Sequence, residues 1–281
     1  IDNHLFKVHP YGRSVIGSMD DLDAAQLDEF ISFNQQYYNP NNAVLVVAGD
    51  IDIAETKALI MDYFGTIENN AKSNVKLEIT EPAIEETRYA TEYDTNIQIP
   101  AYIFSYITPK SIEKDAYTLD YISSILTGGN SSRMYKRMVD KDKVAVQVLA
   151  FNQANQDYGT YTMGALIKGE PDWDMLKATM DEEIKKLQTD LISDKEYQKL
   201  QNQFETSFVQ ANSSVEGIAS SLATYYMLQG NANRINKQLD IYRTITKEDI
   251  KRVASTYLNP NQRVEIKYLS GTDPAKEDSK Q

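Results

Sequence analysis

The sequence predicts an α+β fold with a mixed or antiparallel sheet, and two features of the chain support this prediction. Strand-like and helix-like segments are grouped along the chain rather than strictly alternating, which disfavours a doubly wound parallel sheet. The composition is 41% hydrophobic and 25% charged, as expected for a globular protein that buries a core. A chain of 281 residues is long enough for one large domain or two ordinary ones.

The first elements form a helix–strand–helix pattern. Residues 21–38 place apolar side chains near one helical face, and Pro40 ends this helix because proline cannot continue its hydrogen-bond ladder. The continuously apolar residues 43–49 predict a buried strand. A second helix is expected between Asp52 and Gly65, which are residue types suited to the two helix ends.

Residues 66–95 are charged and irregular, so they read as a domain linker, with one strand near residues 88–93. The second part of the chain begins with strand-like residues 97–108. Further strands are expected at residues 143–152, 159–167 and 263–269. Helices are expected at residues 112–127, 131–140, 172–191, 193–212, 214–229, 233–243 and 246–258.

An internal repeat links the two parts of the chain. The order helix, Tyr-x-Asn-Pro-Asn, strand occurs around Pro40 and again around Pro260, at an offset of 220 positions. An Asn-Pro turn alone is common, but the matching elements on both sides favour duplication. We therefore expect the end of a first unit followed by a complete second unit.

Charge and composition exclude several classes of function. The 41 acidic and 29 basic residues give a net charge of −12, which repels nucleic acids and anionic membrane surfaces. This charge favours solubility or basic polypeptide partners. The chain has no cysteine, which rules out thiolate metal sites and cysteine nucleophiles without fixing the compartment. It also has no run of about 18 apolar residues that would span a membrane.

Three stretches of sequence carry a resemblance to a known family. They are the segment from His9-Pro-Tyr-Gly to Leu22, the segment from Tyr37 to Asp50, and the segment from Leu126 to Arg137. The first resembles the sequence that follows the third zinc ligand in bacterial and mitochondrial-processing-type members of the insulinase/pitrilysin family of zinc metallopeptidases. The resemblance covers nearly the whole chain in the expected order.

This resemblance implies tandem homologous domains, each a sheet of about six strands with helices on one face. On this basis we assign residues 1–80 to the C-terminal part of a first domain that is truncated at its N-terminus. Residues 81–270 are assigned to a second, zinc-free domain, and the polar residues 271–281 to a disordered tail.

The family's zinc motif, H-x-x-E-H, is absent from the sequence. It needs two histidines one helical turn apart with a glutamate between them. The only histidines are His4 and His9, with no glutamate between them, and Pro10 disfavours helix at His9. We therefore expect no catalytic residue, metal ligand or cofactor on this chain, and zinc only in the complete enzyme.

A second family feature is also missing. Substrate-gripping domains of the family carry an Arg and, seven positions later, a Tyr. The matching positions here are Val139 and Val146, which cannot donate hydrogen bonds to a substrate or an oxyanion. This departure fits the zinc-bearing half of a peptidase that lacks its N-terminal, zinc-binding portion. It fits a catalytically inactive, purely structural half equally well.

The loop Gly128, Gly129, Asn130, Ser131, Ser132 and Arg133 is the candidate substrate-binding site. It lacks the Gly-Lys-Ser/Thr ending of a phosphate loop and follows a helix rather than a strand. The resemblance likens it to a glycine-containing loop that faces the substrate chamber. The alternative is a helix–helix turn, with Gly128 as C-cap and Ser131 as N-cap.

Two other groups of side chains have both structural and functional interpretations. Strand alternation places Tyr102, Phe104 and Tyr106 on one face, which favours a core over a chamber wall. The acidic run of residues 181–183 favours a solvated helix face over a chamber lining or a cation site, and Glu182 is spaced to pair with Lys186.

The leading hypothesis is the zinc-free portion of a metalloendopeptidase that hydrolyses small or unfolded polypeptides. It would form part of the peptide-binding chamber and add substrate as a strand to a sheet edge. The expected partners are a peptide or unfolded polypeptide and an upstream catalytic domain or partner chain, with no nucleic acid and no membrane. The alternatives are a non-catalytic scaffold or assembly subunit and a peptide-binding module. The compartment stays open, with a periplasmic or other extracytoplasmic location as the expectation.

Overall fold

The computed structural model describes residues 1–69 and 78–274 of the chain. The described strands are β1 (Arg88–Asp94), β2 (Ala101–Thr108), β3 (Ala145–Ala154), β4 (Gly159–Ile167) and β5 (Val264–Ser270). The α-helices are α1 (Asp2–Leu5), α2 (Met19–Ala24), α3 (Leu27–Tyr37), α4 (Ile53–Phe64), α5 (Lys114–Thr127), α6 (Trp173–Thr189), α7 (Asp194–Ala211), α8 (Val215–Gln229), α9 (Gln238–Arg243) and α10 (Lys247–Tyr257). A π-helix spans Tyr135–Lys141.

The strands form one mixed sheet in the order β1-β5-β2-β4-β3. Only the β1–β5 pair is parallel, with Arg88 opposite Val264, and the other three pairs are antiparallel. The α+β class and the mixed sheet are thus confirmed. The described part of the chain contains this five-stranded sheet rather than two sheets of about six strands.

The main core lies between one face of the sheet and helices α5, α6 and α10. On β2 the alternate residues Tyr102, Phe104 and Tyr106 all point into this core, which confirms the core interpretation of these rings. Leu119 of α5 and Met180 of α6 are fully buried against them. A smaller cluster covers part of the opposite face, where Leu5, Phe6 and Ile84 pack on the β5 residues Val264 and Ile266.

A buried ionic cluster lies within the main core. The guanidinium of Arg263 is fully buried, lies 3.6 Å from the ring centre of Phe104, and donates hydrogen bonds to Asp181, Glu265 and Tyr106. Burial alone would lower the pKa of Arg263, but the bonds to Asp181 and Tyr106 raise it above its usual value. Burial likewise opposes ionisation of Glu265, whose pKa the donors Lys177, Tyr102 and Arg263 nevertheless lower.

The acidic run that begins at Asp181 therefore has mixed roles. Asp181 pairs with Arg263, and Glu183 is buried beside Lys186. Only Glu182 behaves as the sequence predicts, since it is half exposed and 3.0 Å from Lys186 at the i, i+4 spacing. Helix orientation towards the sheet, which the run itself does not encode, decides which acids are buried.

The chain divides into two compact units. The sheet unit comprises Ile1–Gly12, Glu81–Glu205 and Leu239–Gln281, and the helical unit comprises Arg13–Thr80 and Thr206–Gln238. Residues 1–12 were expected in the first domain, but they belong to the sheet unit. Residues 206–238 were expected in the second domain, but they belong to the helical unit. The assignment of residues 1–80 and 81–270 to two homologous domains stays a prediction.

Several predicted elements differ from the observed ones. Residues 43–49 were expected to form a strand, but in the described part of the chain they form no strand or helix and have no ladder partner. The expected helix 21–38 is split into α2 and α3, because Ser18 and Gln26 each begin a new capping box. Residues 271–273 form no strand or helix, Pro274 is helical, and residues 70–77 and 275–281 lie outside the described residues.

Candidate functional site

The predicted substrate-binding loop connects α5 to the π-helix. The N–H of Gly128 donates to the Ser124 carbonyl at 2.9 Å, so Gly128 ends α5 as predicted. A Cβ at Gly128 would lie 2.4 Å from that carbonyl oxygen, and Gly129 has a φ of +88°, so both positions need glycine. Gly129 also accepts the Ser132 N–H at 3.0 Å, which closes a tight turn.

Two polar side chains of this loop contact α7. Arg133 forms a two-pronged ion pair with Glu196, with N–O distances of 3.0 and 2.8 Å. The Ser131 hydroxyl accepts a 2.6 Å hydrogen bond from Lys199. Among the described residues, no backbone N–H of the following helix donates to this hydroxyl, so the predicted N-cap role of Ser131 is not observed.

Ser132 differs from its neighbours in the loop. Its side chain is buried, and its hydroxyl has no hydrogen-bond partner among the described residues. Asn130 is exposed. The structure thus brings all six predicted residues together in one turn, where two side chains are engaged with α7 and one is buried.

The backbone that follows the loop is irregular over a short stretch. The π-helix ends with the Asp142 N–H bonded to the Arg137 carbonyl, and Lys143 then adopts a positive φ of 56°. β3 begins immediately afterwards with a register shift between Ala145 and Gln147. Such irregular segments are found preferentially at functional sites.

Val139 and Val146 lie within this irregular segment. Val139 is on the π-helix and packs against the main core, whereas Val146 lies at the start of β3 with an exposed side chain. Neither side chain carries a hydrogen-bond donor. The segment therefore presents no group that polarises a peptide carbonyl at these two positions.

β3 is an edge strand of the sheet and runs beside the loop. None of its ten residues is charged, although charges and prolines are the usual protection of an open edge. Phe151 is 46% exposed on this strand. The side chain of Thr127, the last residue before the loop, donates to the Ala150 carbonyl at 3.4 Å. Sequence reasoning missed this edge, although the uncharged run was visible.

A buried carboxyl group lies next to β3. Asp120 of α5 accepts hydrogen bonds from the Tyr242 hydroxyl at 2.8 Å and from the Asn152 amide at 3.2 Å. Burial raises the pKa of Asp120 to about 6, which these two bonds only partly offset. Asp120 is partly buried, and its hydrogen bond to Asn152 connects α5 to β3.

The two histidines do not form a zinc site. His4 is bonded to Glu92 on β1, and His9 Nδ1 accepts the Tyr11 N–H at 3.2 Å. His9 is also held through its backbone, since Glu81 accepts the N–H groups of Lys7, Val8 and His9. In the described part of the chain, no three His, Asp or Glu side chains lie close enough together to hold a metal ion. Within residues 1–69 and 78–274, the side chains do not form a site that fits zinc.

None of the helices in residues 1–69 and 78–274 is both long and apolar enough to cross a membrane.

Comparison with curated proteins gives relatives that are named as zinc proteases. The chain is 25% identical over 267 residues to the zinc protease PqqE of Helicobacter pylori, in a match that covers 94% of this chain and 60% of that protein. The chain therefore spans about three-fifths of the length of this relative. It is also 21% identical over 270 residues to an uncharacterised zinc protease, YmxG, of Bacillus subtilis, covering 95% of this chain and 64% of that protein.

Solved structures show the same fold. A protease from Helicobacter pylori superposes with a TM-score of 0.88 at 24% identity, covering 95% of this chain and 65% of that chain. The peptidase M16 inactive domain from Pseudomonas fluorescens superposes with a TM-score of 0.81 at 16% identity, covering 96% of this chain and 64% of that chain.

A family model decides the assignment. The model described as the Peptidase M16 inactive domain matches residues 24–204, which is more than half of the chain. The matched range includes the loop of residues 128–133, the π-helix and β3. The chain belongs to the Peptidase M16 inactive domain family, within the insulinase-like zinc metallopeptidases.

Proposed function

We propose that this chain forms the zinc-free wall of a peptide-binding chamber in an M16 metalloendopeptidase that hydrolyses small or unfolded polypeptides. Zinc and the catalytic residues would be supplied by a catalytic domain of the same family. The relatives named as zinc proteases are longer than the matched region, which leaves room for such a domain.

The open edge of β3 is the observation that carries this proposal. An extended peptide that pairs with an edge strand gains backbone hydrogen bonds without any sequence requirement. β3 is ten residues long, uncharged, and exposes Phe151 as an apolar contact for a peptide side chain. A substrate bound in this way would be extended, as a peptide must be for hydrolysis at a metal centre.

The loop of residues 128–133 is proposed as the wall beside this edge. Gly129 and Asn130 leave its tip without bulky side chains, which permits close approach of a peptide backbone. Arg133 and Ser131 would act indirectly, since their bonds to Glu196 and Lys199 fix the loop against α7.

Peptide binding by the 281-residue chain tests the proposed edge. A fluorescein-labelled, unstructured ten-residue peptide is titrated with chain carrying Phe151→Asp, which adds a charge to β3. We expect the dissociation constant to rise at least tenfold, about 1.4 kcal/mol. Fluorescence anisotropy gives the measurement.

Tyr89→Asp is the matched control for this experiment. Tyr89 lies on β1, the other edge of the sheet, and is 70% exposed. We expect this variant to bind the peptide as tightly as the unchanged chain. Equal binding by all three proteins, or loss in the control alone, would contradict the proposed site.

Cleavage by the complete gene product tests the enzymatic part of the proposal. We expect that protein to hold about one zinc ion and to cleave an unfolded peptide in a chelator-sensitive manner, and the 281-residue chain to do neither. A complete product without zinc or cleavage would overturn the peptidase proposal.

A non-catalytic scaffold is the second candidate function. Two observations favour it. Val139 and Val146 carry no hydrogen-bond donor for a substrate, and the side chains of Arg133 and Ser131 are bonded to Glu196 and Lys199 of α7. A scaffold would leave peptide affinity unchanged in the Phe151 variant. A peptide-binding module without a catalytic partner would bind the peptide, and its complete gene product would not cleave it.

A further inference from the structure

The two faces of the edge strand β3 differ in character. Val148, Ala150 and Asn152 lie on the helix side of the sheet, where they contact the main core or α5. Because side chains alternate along a strand, Leu149 and Phe151 lie on the opposite face. Leu149 is half-buried, and Phe151 is exposed. A strand added to the edge of β3 would therefore meet two different environments, one on each face of the sheet.

The face that carries Leu149 and Phe151 is apolar and shallow. In the register of β3 with β4, Leu149 lies opposite Gly164 and Phe151 lies opposite Thr162. A Cβ at Gly164 would lie 2.5 Å from the Tyr102 carbonyl oxygen, so β4 cannot place a side chain beside Leu149. Leu149 and Phe151 therefore provide the apolar surface of this face next to the open edge.

The helix side of the same edge is polar. Four half-buried polar side chains share one face of α5, at the spacing i, i+3, i+4 and i+7, and these are Asp120, Ser123, Ser124 and Thr127. Asp120 accepts a hydrogen bond from Asn152, and Thr127 donates to the Ala150 carbonyl, so this face of α5 reaches β3. The side chains of an added strand on this side would meet hydroxyl groups and one carboxyl group.

From these two faces, we propose that β3 selects peptides by strand alternation. Two apolar residues separated by one residue pack beside Leu149 and Phe151, and the residue between them, polar or basic, faces α5. This inference rests on the proposed function, because it takes the strand-pairing peptide from there and adds which peptides bind. The preferred substrates are unfolded segments with the alternating pattern of a half-buried strand.

The spacing follows from the geometry of a sheet. Residues directly opposite each other on neighbouring strands share a face, so the peptide residues opposite Leu149 and Phe151 are two positions apart. Apolar residues three positions apart fall on opposite faces, which places one of them beside the polar face of α5. Backbone pairing thus supplies affinity for any extended peptide, and the side chains add selectivity.

The charge of the chain favours a basic rather than an acidic residue on the helix side. Asp120 is the one charged side chain among the four polar residues on that face of α5. The net charge of the whole chain is −12, which also disfavours an acidic peptide.

Two fluorescein-labelled ten-residue peptides of identical composition test the spacing. Each contains two valines and one lysine among serines and glutamines, with the lysine between the valines. The valines are two positions apart in the first peptide and three apart in the second. We expect the 281-residue chain to bind the first peptide about fivefold more tightly, because only there do both valines lie beside Leu149 and Phe151. Fluorescence anisotropy measures both dissociation constants.

Phe151→Thr is the variant that tests the apolar face. It removes the aromatic contact, adds no charge and keeps a residue suited to a strand. We expect the two peptides to bind this variant with affinities within about twofold of each other, and Leu149→Thr to have the same effect.

Val146→Thr is the matched control. Val146 is also an exposed apolar residue of β3, but it lies at the register shift, outside the paired ladder. This variant should keep the preference for the first peptide. A preference that persists in both Phe151→Thr and Leu149→Thr would place the selectivity elsewhere and overturn the inference.

A glutamate in place of the lysine tests the helix side. We expect the first peptide to bind about fivefold more weakly after this exchange, because the residue between the valines lies beside Asp120 and the hydroxyl groups of α5. The same exchange at the end of the peptide should have a smaller effect. Equal effects at both positions would reflect net charge alone and would contradict the assigned polarity of the two faces.

The outcomes separate this inference from the proposed function. Equal affinity of the unchanged chain for the two valine spacings would overturn selection by alternation and leave the proposed chamber wall intact. Absence of binding to either peptide would overturn both, since β3 would then not pair with peptides at all.

Discussion

Arg263 lies in the core with two carboxylates around it, and removing it would take hydrogen bonds from both, although Glu265 would keep Lys177 and Tyr102 as donors. Asp181 and Glu265 each accept hydrogen bonds from its guanidinium. We expect Arg263→Met to lower the free energy of unfolding by about 3–5 kcal/mol, because the buried Glu265 loses one of its charged partners and Asp181 loses a two-pronged donor. Urea denaturation at pH 7 measures this loss.

Arg252→Met is the matched control for Arg263. Arg252 forms a similar two-pronged pair with Asp115, but its side chain is 50% exposed. Water screens such a pair, so we expect a loss of at most about 1 kcal/mol. Equal losses in the two variants would mean that burial does not control the contribution of these arginines.

Asp120 is a second residue whose environment can be tested through pH. Its pKa is raised from 3.8 to about 6 by burial. In this case the folded state binds protons more tightly than the unfolded state, so ionisation destabilises the fold as the pH rises between about 4 and 6. The Asp120→Asn variant lacks this titration and retains an acceptor for Tyr242.

We therefore expect the stability of the unchanged protein, relative to Asp120→Asn, to fall by about 2 kcal/mol between pH 4 and pH 7. Parallel urea titrations of both proteins at several pH values measure this difference. A difference that stays constant across this range, or that grows in the opposite direction, would show that Asp120 is not destabilised by burial.

At the scale of elements, the junction between the π-helix and β3 contains a strained residue. Lys143 has a φ of 56°, a left-handed conformation that disfavours every side chain with a Cβ. We expect Lys143→Gly to raise the free energy of unfolding by about 1 kcal/mol. Lys141→Gly, within the π-helix, should lower it, and thermal unfolding of both variants compares them. A loss of stability in Lys143→Gly would mean that the lysine side chain makes a contact outweighing the strain.

The elements also show how far the sequence determines the fold. β2, β4 and β5 were predicted to within a few residues because their alternating or continuous apolar patterns match the environment that they occupy. The helical residues 135–141 were predicted, but their π geometry was not, since a seven-residue π-helix has no distinctive sequence pattern. Residues 43–48 have the composition of a strand, but a strand needs a neighbour to pair with.

The candidate site was predictable only in part, for a related reason. The two glycines and the turn at residues 128–133 follow from local rules, and Gly128 ends α5 as expected. The contacts of Arg133 with Glu196 and of Lys199 with Ser131 join positions more than sixty residues apart. Helical spacing places Glu196 and Lys199 on one face of α7, but it does not say what that face contacts.

At the scale of the whole molecule, the two units should differ strongly in stability. The sheet unit encloses the main core, whereas the helical unit has no buried apolar residue among those described. Local opening requires little free energy where few apolar contacts are lost. We therefore expect backbone amides of α3 and α4 in the isolated chain to exchange at least a hundredfold faster than those of β2 and β4.

Hydrogen exchange with mass spectrometry measures this difference, and limited proteolysis should cut within residues 27–64 before it cuts the sheet unit. Equal protection of both units would contradict this prediction, because it would mean that the helices are stable without a covered apolar face. Exchange that is fast in the isolated chain and slow in the complete gene product would link the stability of the helical unit to its partner.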